Sequence, residues 1–209
     1  MVQVKQYIMG KKIALIVSYL THPLLMPMVG LLIISNSGTY AADLDRRYTS
    51  FIYLSVFLLT CMIPLAMMPL LYYTQLAKNL QFSERRERLF PLYITVIFYI
   101  AAYILIRKLP VSQVYQRLMF SSCISVLFVL AISYFWKISA HLVGWGGIVG
   151  LILILSFRFD SDLMLYLIIA IMASGITAFA RLSLNEHKPL QIYSGFLMGF
   201  LIMLTVFSI

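Results

Sequence analysis

Two of the three histidines in this chain stand in short polar stretches beside basic residues. One stretch is Lys137-Ile138-Ser139-Ala140-His141. The other runs Arg181-Leu182-Ser183-Leu184-Asn185-Glu186-His187-Lys188-Pro189-Leu190-Gln191. A third stretch, from Lys78 to Arg88, is the most cationic in the chain and carries Lys78, Arg85, Arg86 and Arg88. Together these residues suit an anionic, tetrahedral group. Lysine and arginine neutralise phosphate oxygens, arginine with two parallel hydrogen bonds. One imidazole can attack or take a proton, and the other can protonate a leaving oxygen. The only carboxylates near these stretches are Glu84, Glu87 and Glu186. The acidic clusters that hold Mg²⁺ or Ca²⁺ are missing, and no pair of histidines has zinc-ligand spacing. The expected chemistry is phosphoryl transfer through histidine, with no metal and no other cofactor.

Something must bring three distant stretches to one place, and the composition says what. Of 209 residues, 62% are hydrophobic and only 11% charged. Soluble domains are about a quarter charged and about half apolar, so a soluble domain and a disordered chain are both excluded. The charges are confined. Residues 13–42, 48–77, 89–106, 118–136, 138–157, 163–180 and 189–209 contain no Asp, Glu, Lys or Arg. A helix needs about 20 mostly apolar residues to cross the hydrocarbon layer. Each window holds one span, expected at 13–36, 50–74, 90–107, 117–135, 141–157, 163–180 and 189–208. The fold expected is all-α: a polytopic membrane bundle of about seven helices, one domain over 1–209. The first window starts too far in, and is too long, for a secretory signal, so it reads as a retained span. Cys61 and Cys123 fall inside apolar windows, and neither a disulfide nor a metal site is suggested.

Seven spans fix a parity. The N-terminus and the loops at 75–89, 136–140 and 181–188 share one side, here side A; the remaining loops share side B. All three stretches that could do chemistry lie on side A. That side carries ten of the sixteen basic residues. By the excess of Lys and Arg on cytoplasmic loops, side A faces the cytoplasm. Setting Lys78, Arg85 and Arg181 aside as phosphate ligands leaves seven against six, which no longer fixes the orientation. The net charge of +9 is therefore a collar at the ends of spans plus a local phosphate-binding set. It is no sign of nucleic acid. The expected location is the inner (plasma) membrane, multi-pass, among membrane lipids.

The spacing resembles that of the type-2 phosphatidic acid phosphatase superfamily, integral-membrane lipid phosphatases with three short motifs. The first motif is Lys, six residues, then Arg-Pro; Lys78 and Arg85 fit, with Arg86 in place of proline. A shifted register would use Arg88, which Pro91 follows closely. The second is Pro-Ser-Gly-His; Ser139 and His141 fit, with Ile138 and Ala140 departing. The third is Ser-Arg, five residues, His, three residues, Asp; Arg181 and His187 fit, with Ala180 and Gln191 departing. The motifs cover slightly over half the chain. The resemblance implies His187 as the nucleophile, His141 as the acid for the leaving group, and Lys78, Arg85, Ser139 and Arg181 as phosphate ligands. It places Gln191 where an Asp would orient the nucleophile. Four residues after His187, Gln191 shares its helix face and can accept its Nδ1–H, but brings no negative charge. Gln at this place is similar to eukaryotic dolichyl diphosphatases, which points to a polyprenyl diphosphate. The implied activity is metal-independent hydrolysis of a lipid phosphate or (poly)prenyl diphosphate through phosphohistidine.

Blander roles exist for each residue. The cations can be an interfacial collar for lipid headgroups, and His141 and His187 can be helix-end residues. His22, in Thr21-His22-Pro23, lies off the motif pattern and reads as a satisfied polar residue of the bundle. Three rival functions remain: a lipid phosphotransferase on the same site, a member that binds or moves anionic lipids without turnover, and a small-molecule transporter. A transporter would carry inverted repeats or polar broken helices, and neither is read from the sequence.

Overall fold

The computed structural model of the protein describes residues 2–39, 44, 46–73 and 89–208. Every regular element among them is helical: α1 (Val2–Leu20), α2 (Met26–Ser35), α3 (Arg46–Phe57), α4 (Ile63–Tyr73), α5 (Leu89–Arg107), α6 (Gln113–Ser133), α7 (Ala140–Phe159), α8 (Met164–Ser183) and α9 (Pro189–Ser208). In hydrocarbon a backbone must satisfy its own polar groups, which a helix does within one segment. Among the described residues, seven segments are long and apolar enough to cross a membrane, from Gly10–Ser35 to Pro189–Ser208. The protein is a multi-pass α-helical membrane protein. Spans three to seven lie within a few residues of the windows read from charge alone.

The first span departs from expectation. It is not one helix over 13–36. Helix α1 begins at residue 2 and ends at Leu20; a 3₁₀ turn over Pro23–Leu25 follows before α2 starts. Two prolines explain the break. Pro23 and Pro27 lack the N–H groups that a continuous ladder would use. The second span is disturbed as well, by a π-helical turn over Leu58–Met62 ahead of Pro64. The two irregular places meet. The Thr60 hydroxyl reaches the Val56 carbonyl (2.8 Å) and the Leu24 carbonyl (3.5 Å). Irregular backbone at membrane depth is tolerated where protein buries it or a cavity adjoins it. The expectation that the chain has no broken helix is therefore corrected at Thr21-His22-Pro23.

Helix α7 is the centre of the bundle, 67% buried where α8 is 22% buried. It packs most extensively on α9, and also on α8, α2 and α6. Small residues permit the α7–α9 contact. A Cβ on Gly199 would collide with the Val143 carbonyl, and one on Gly195 would lie 2.8 Å from the Ser139 carbonyl oxygen. Backbones this close are typical of small-residue helix contacts in lipid. Gly199→Ala is expected to lower the thermal unfolding midpoint in detergent. Overpacking costs about 1–3 kcal/mol, and a carbonyl cannot swing aside as a side chain can. Gly175→Ala, where a Cβ meets nothing within 4 Å, is expected to leave the midpoint unchanged. At side B, Arg117 donates to the Phe207 carbonyl at 2.8 Å and Arg158 donates to the same oxygen. Two cations thus satisfy the C-terminal end of α9, where the helix dipole favours positive charge.

Candidate functional site

The site is built where the N-terminus of α7, the C-terminus of α8 and the start of α9 come together. Their mutual position is held by backbone. The Ser139 N–H donates to the Gln191 carbonyl at 3.2 Å, tying the second motif-like stretch to the third. The close approach at Gly195 lies beside this bond. The loop from Leu184 to Lys188 is short because Asn185 turns it with a positive φ of 55°, a conformation asparagine accepts more readily than most residues.

His187 is buried at 6% exposure. Its Nδ1 lies 3.2 Å from the Gln191 Oε1. The same oxygen accepts the Lys188 N–H at 3.0 Å. This second bond identifies the Gln191 atom as an acceptor, so His187 Nδ1 carries the proton it donates. In the neutral ring the lone pair then resides on Nε2. Gln191 thus holds the tautomer that the sequence pattern anticipated.

His141, at 9% exposure, has its Nε2 3.1 Å from the Ser18 carbonyl. A carbonyl only accepts, so Nε2 donates and Nδ1 is the atom left to exchange a proton. Arg181, His22 and His187 all lie within electrostatic reach of His141. The Arg181 side chain is 14% exposed. One nitrogen stands 3.7 Å from the Glu186 carboxylate, which also receives Lys137 at 3.2 Å. Among the described residues the Arg181 Nε is buried with no hydrogen-bond partner, as are the hydroxyls of Ser139 and Ser18. Orphaned buried donors are uncommon and costly, and each is a place for an acceptor.

A cavity of about 760 Å³ opens on this cluster, within the range of small-molecule and cofactor sites. Its polar end is lined by Ser18, His22, His141, Arg181 and Glu186. The rest, mostly apolar, passes between helices to Leu118, Val126, Val129, Ile148 and Met203, with Thr95, Tyr99, Ser122 and Ser125 interspersed. A molecule with an anionic head and a hydrocarbon chain matches that division.

Of the residues expected from sequence, the structure brings together His141, Arg181, His187, Gln191 and Ser139. His187, Gln191 and Ser139 lie next to the cavity's polar end but are not among its lining residues. Lys78 and Arg85, with the alternative Arg88, lie outside the described residues. The sequence reading missed three contributors. Glu186 engages both Arg181 and Lys137. Ser18 holds His141 through its carbonyl. His22 does cap the 3₁₀ turn, accepting the Leu24 N–H at its Nδ1, but it also lines the cavity with its ring 5.8 Å from that of His141. The signal for His22 was Pro23: a histidine next to a helix-breaking residue inside an apolar window. Among the described residues, no group of three His, Cys, Asp or Glu side chains could hold a metal ion. Cys61 and Cys123 are both free and buried, packed with Leu24 and Tyr99. Comparison with protein-family models, with curated proteins and with solved structures yields no match to this chain.

Proposed function

We propose that the protein hydrolyses a membrane lipid phosphate or polyprenyl diphosphate without a metal, through a phosphohistidine formed at His187, as in the lipid phosphatases its motifs resemble. One observation carries this reading. Gln191 Oε1 accepts from both Lys188 N–H and His187 Nδ1–H, which leaves the Nε2 lone pair as the nucleophile of the ring. Arg181, at the C-terminal end of α8, lines the cavity, and its Nε is a buried donor with no partner among the described residues.

The steps follow from the proton positions. The lipid chain lies in the apolar part of the cavity and its phosphate meets Arg181. His187 Nε2 attacks phosphorus and the P–O bond to the lipid breaks. The departing oxygen takes a proton from His141 Nδ1, which received it from the monoprotonated phosphate on binding. Water then attacks the phosphohistidine and gives its proton back to His141 Nδ1. The N–P bond breaks, the leaving phosphate takes the proton back from His141 Nδ1, and both rings are neutral again. Throughout, His187 keeps its Nδ1–H on Gln191, and His141 keeps its Nε2–H on the Ser18 carbonyl. Gln191 orients the developing imidazolium but supplies no countercharge. Replacing the charged partner by an amide is costly in serine triads, so turnover is slow relative to enzymes with Asp at this place.

The test is phosphate release by purified protein in EDTA, from a panel of phosphatidate, polyprenyl phosphate and polyprenyl diphosphate. Release from at least one is expected, and none from any would overturn the reading. A second reading, binding of anionic lipid without turnover, is favoured because His187 is not among the residues that line the cavity. Binding of the same lipids with no release would select it. Recovery of the phosphoryl group on a second lipid would select the phosphotransferase. The inner membrane is the proposed location.

A further inference from the structure

We infer that His22, at the break between α1 and α2, is a phosphate-binding residue of this site and that its Nε2–H donates to an oxygen of the ligand's phosphate. The inference rests on the reading of the cavity as an anionic-lipid site, but not on hydrolysis.

The assignment starts from one hydrogen bond. The Leu24 N–H donates to His22 Nδ1 at 3.4 Å, where His22 is the N-cap of the 3₁₀ turn. An accepting Nδ1 has no proton, so in the neutral ring the proton is on Nε2. The cap therefore turns His22 into a fixed donor at the far side of its ring. That ring lines the polar end of the cavity together with His141, Arg181 and Glu186. It stands edge-on to His141, with centroids 5.8 Å apart and planes at 74°. Arg181 is close enough to act on it electrostatically. A ligand oxyanion that satisfies the orphaned Arg181 Nε thus has a second donor of known tautomer beside it.

The break in the helix gives the same result from the backbone side. A continuous α-helix through Thr21-His22-Pro23 would spend the Leu24 N–H on a backbone carbonyl four residues earlier. Pro23 prevents that continuation. The freed N–H is satisfied by the imidazole instead, and the imidazole is thereby oriented. The proline that breaks the span and the histidine that faces the cavity are one device.

Two substitutions separate this role from plain capping, because each keeps one end of the ring. His22→Asn keeps a good N-cap acceptor, but its short amide stops well before the Nε2 position. His22→Gln places an amide N–H near the Nε2 position and caps poorly. A phosphate donor predicts that Gln binds nearly as wild type and Asn weakly. A cap alone predicts the reverse order.

The probes are inorganic phosphate and the phosphonate analogue of dioctanoyl phosphatidate, in which a CH₂ group replaces the ester oxygen so that binding is read without turnover. Dioctanoylglycerol is the uncharged control. Loss of one hydrogen bond to a charged group corresponds to roughly ten- to hundredfold weaker binding. That loss is expected for His22→Asn with the phosphonate, with His22→Gln within about threefold of wild type by the same arithmetic. An equal loss with inorganic phosphate assigns the contact to phosphate from either source; a loss with the phosphonate alone assigns it to a lipid headgroup. Both uphold the inference. It is overturned if His22→Asn binds the phosphonate as wild type does, if dioctanoylglycerol binding falls equally, or if wild type binds neither anionic probe. Hydrolysis is scored separately with phosphatidate, polyprenyl phosphate and polyprenyl diphosphate. Wild type that binds the phosphonate but releases no phosphate from any lipid overturns the catalytic reading and leaves His22 in place.

Discussion

His187→Ala is expected to reduce phosphate release to the rate without protein, a loss of at least about a thousandfold, because a covalent nucleophile has no substitute in the site. The argument lies in the hydrogen bonds of its ring. With Nδ1–H committed to Gln191 Oε1 at 3.2 Å, the proposed attack falls to Nε2. The measurement is phosphate release in EDTA, paired with trapping of labelled protein. Wild type should carry label that is lost in acid and kept in base, as a phosphorus–nitrogen bond would be, and His187→Ala should carry none. Unchanged release by the variant would remove His187 from the chemistry. The change deletes a buried ring, so the unfolding midpoint of the variant must be compared with wild type. A loss confined to turnover is the result that speaks to mechanism.

Arg181→Gln should produce the second largest effect, about a hundred- to a thousandfold in kcat/KM, by analogy with the removal of a charge-stabilising donor from an active site. Arg181→Lys should restore little of it. An ammonium is a point charge, whereas the guanidinium offers several donors in a planar fork. The same substitution should leave thermal stability unchanged or raised. Among the described residues Arg181 has one carboxylate 3.7 Å away, which it shares with Lys137, and an Nε with no partner. A buried cation so poorly compensated costs more in desolvation than it recovers. Activity and stability moving in opposite directions would mark Arg181 as a ligand-binding group. A parallel loss of both would make it a structural residue and sink the assignment.

Much of the framework was legible because lipid leaves a protein few choices. Confinement of charge to short stretches located five of the seven spans to within a few residues. The pairing of His187 with Gln191 forms, but not across a shared helix face: α9 starts at Pro189, and Gln191 Oε1 reaches back from its first turn to the Lys188 N–H and to His187 in the loop before it. What the sequence concealed was of a different kind. Apolar windows report burial in hydrocarbon and are blind to hydrogen bonding along the backbone, so the break at His22-Pro23 and the π turn at Leu58–Met62 lay inside windows that read as uniform. His22 fits no family pattern, and only tertiary structure puts its ring beside His141. Glu186 looked like a spare carboxylate until the fold placed Arg181 and Lys137 on it. Ser18 acts through its backbone carbonyl, to which side-chain identity gives no clue.

The polar end of the cavity also carries information about how the protein is made. It joins Ser18 and His22 to Arg181 and Glu186, from opposite ends of the polypeptide. Ribosomes add about 5–20 residues per second, so on the order of ten seconds or more separates the synthesis of His22 from that of Arg181. During that interval the first span is in the membrane with its histidine already aimed by the Leu24 N–H, while the helices that will enclose it do not yet exist. The cap that fixes the ring is local and can form at once; everything that gives the ring its purpose arrives last. A chain interrupted before α8 would therefore hold an oriented ring without Arg181 and Glu186, which α8 and the loop after it supply.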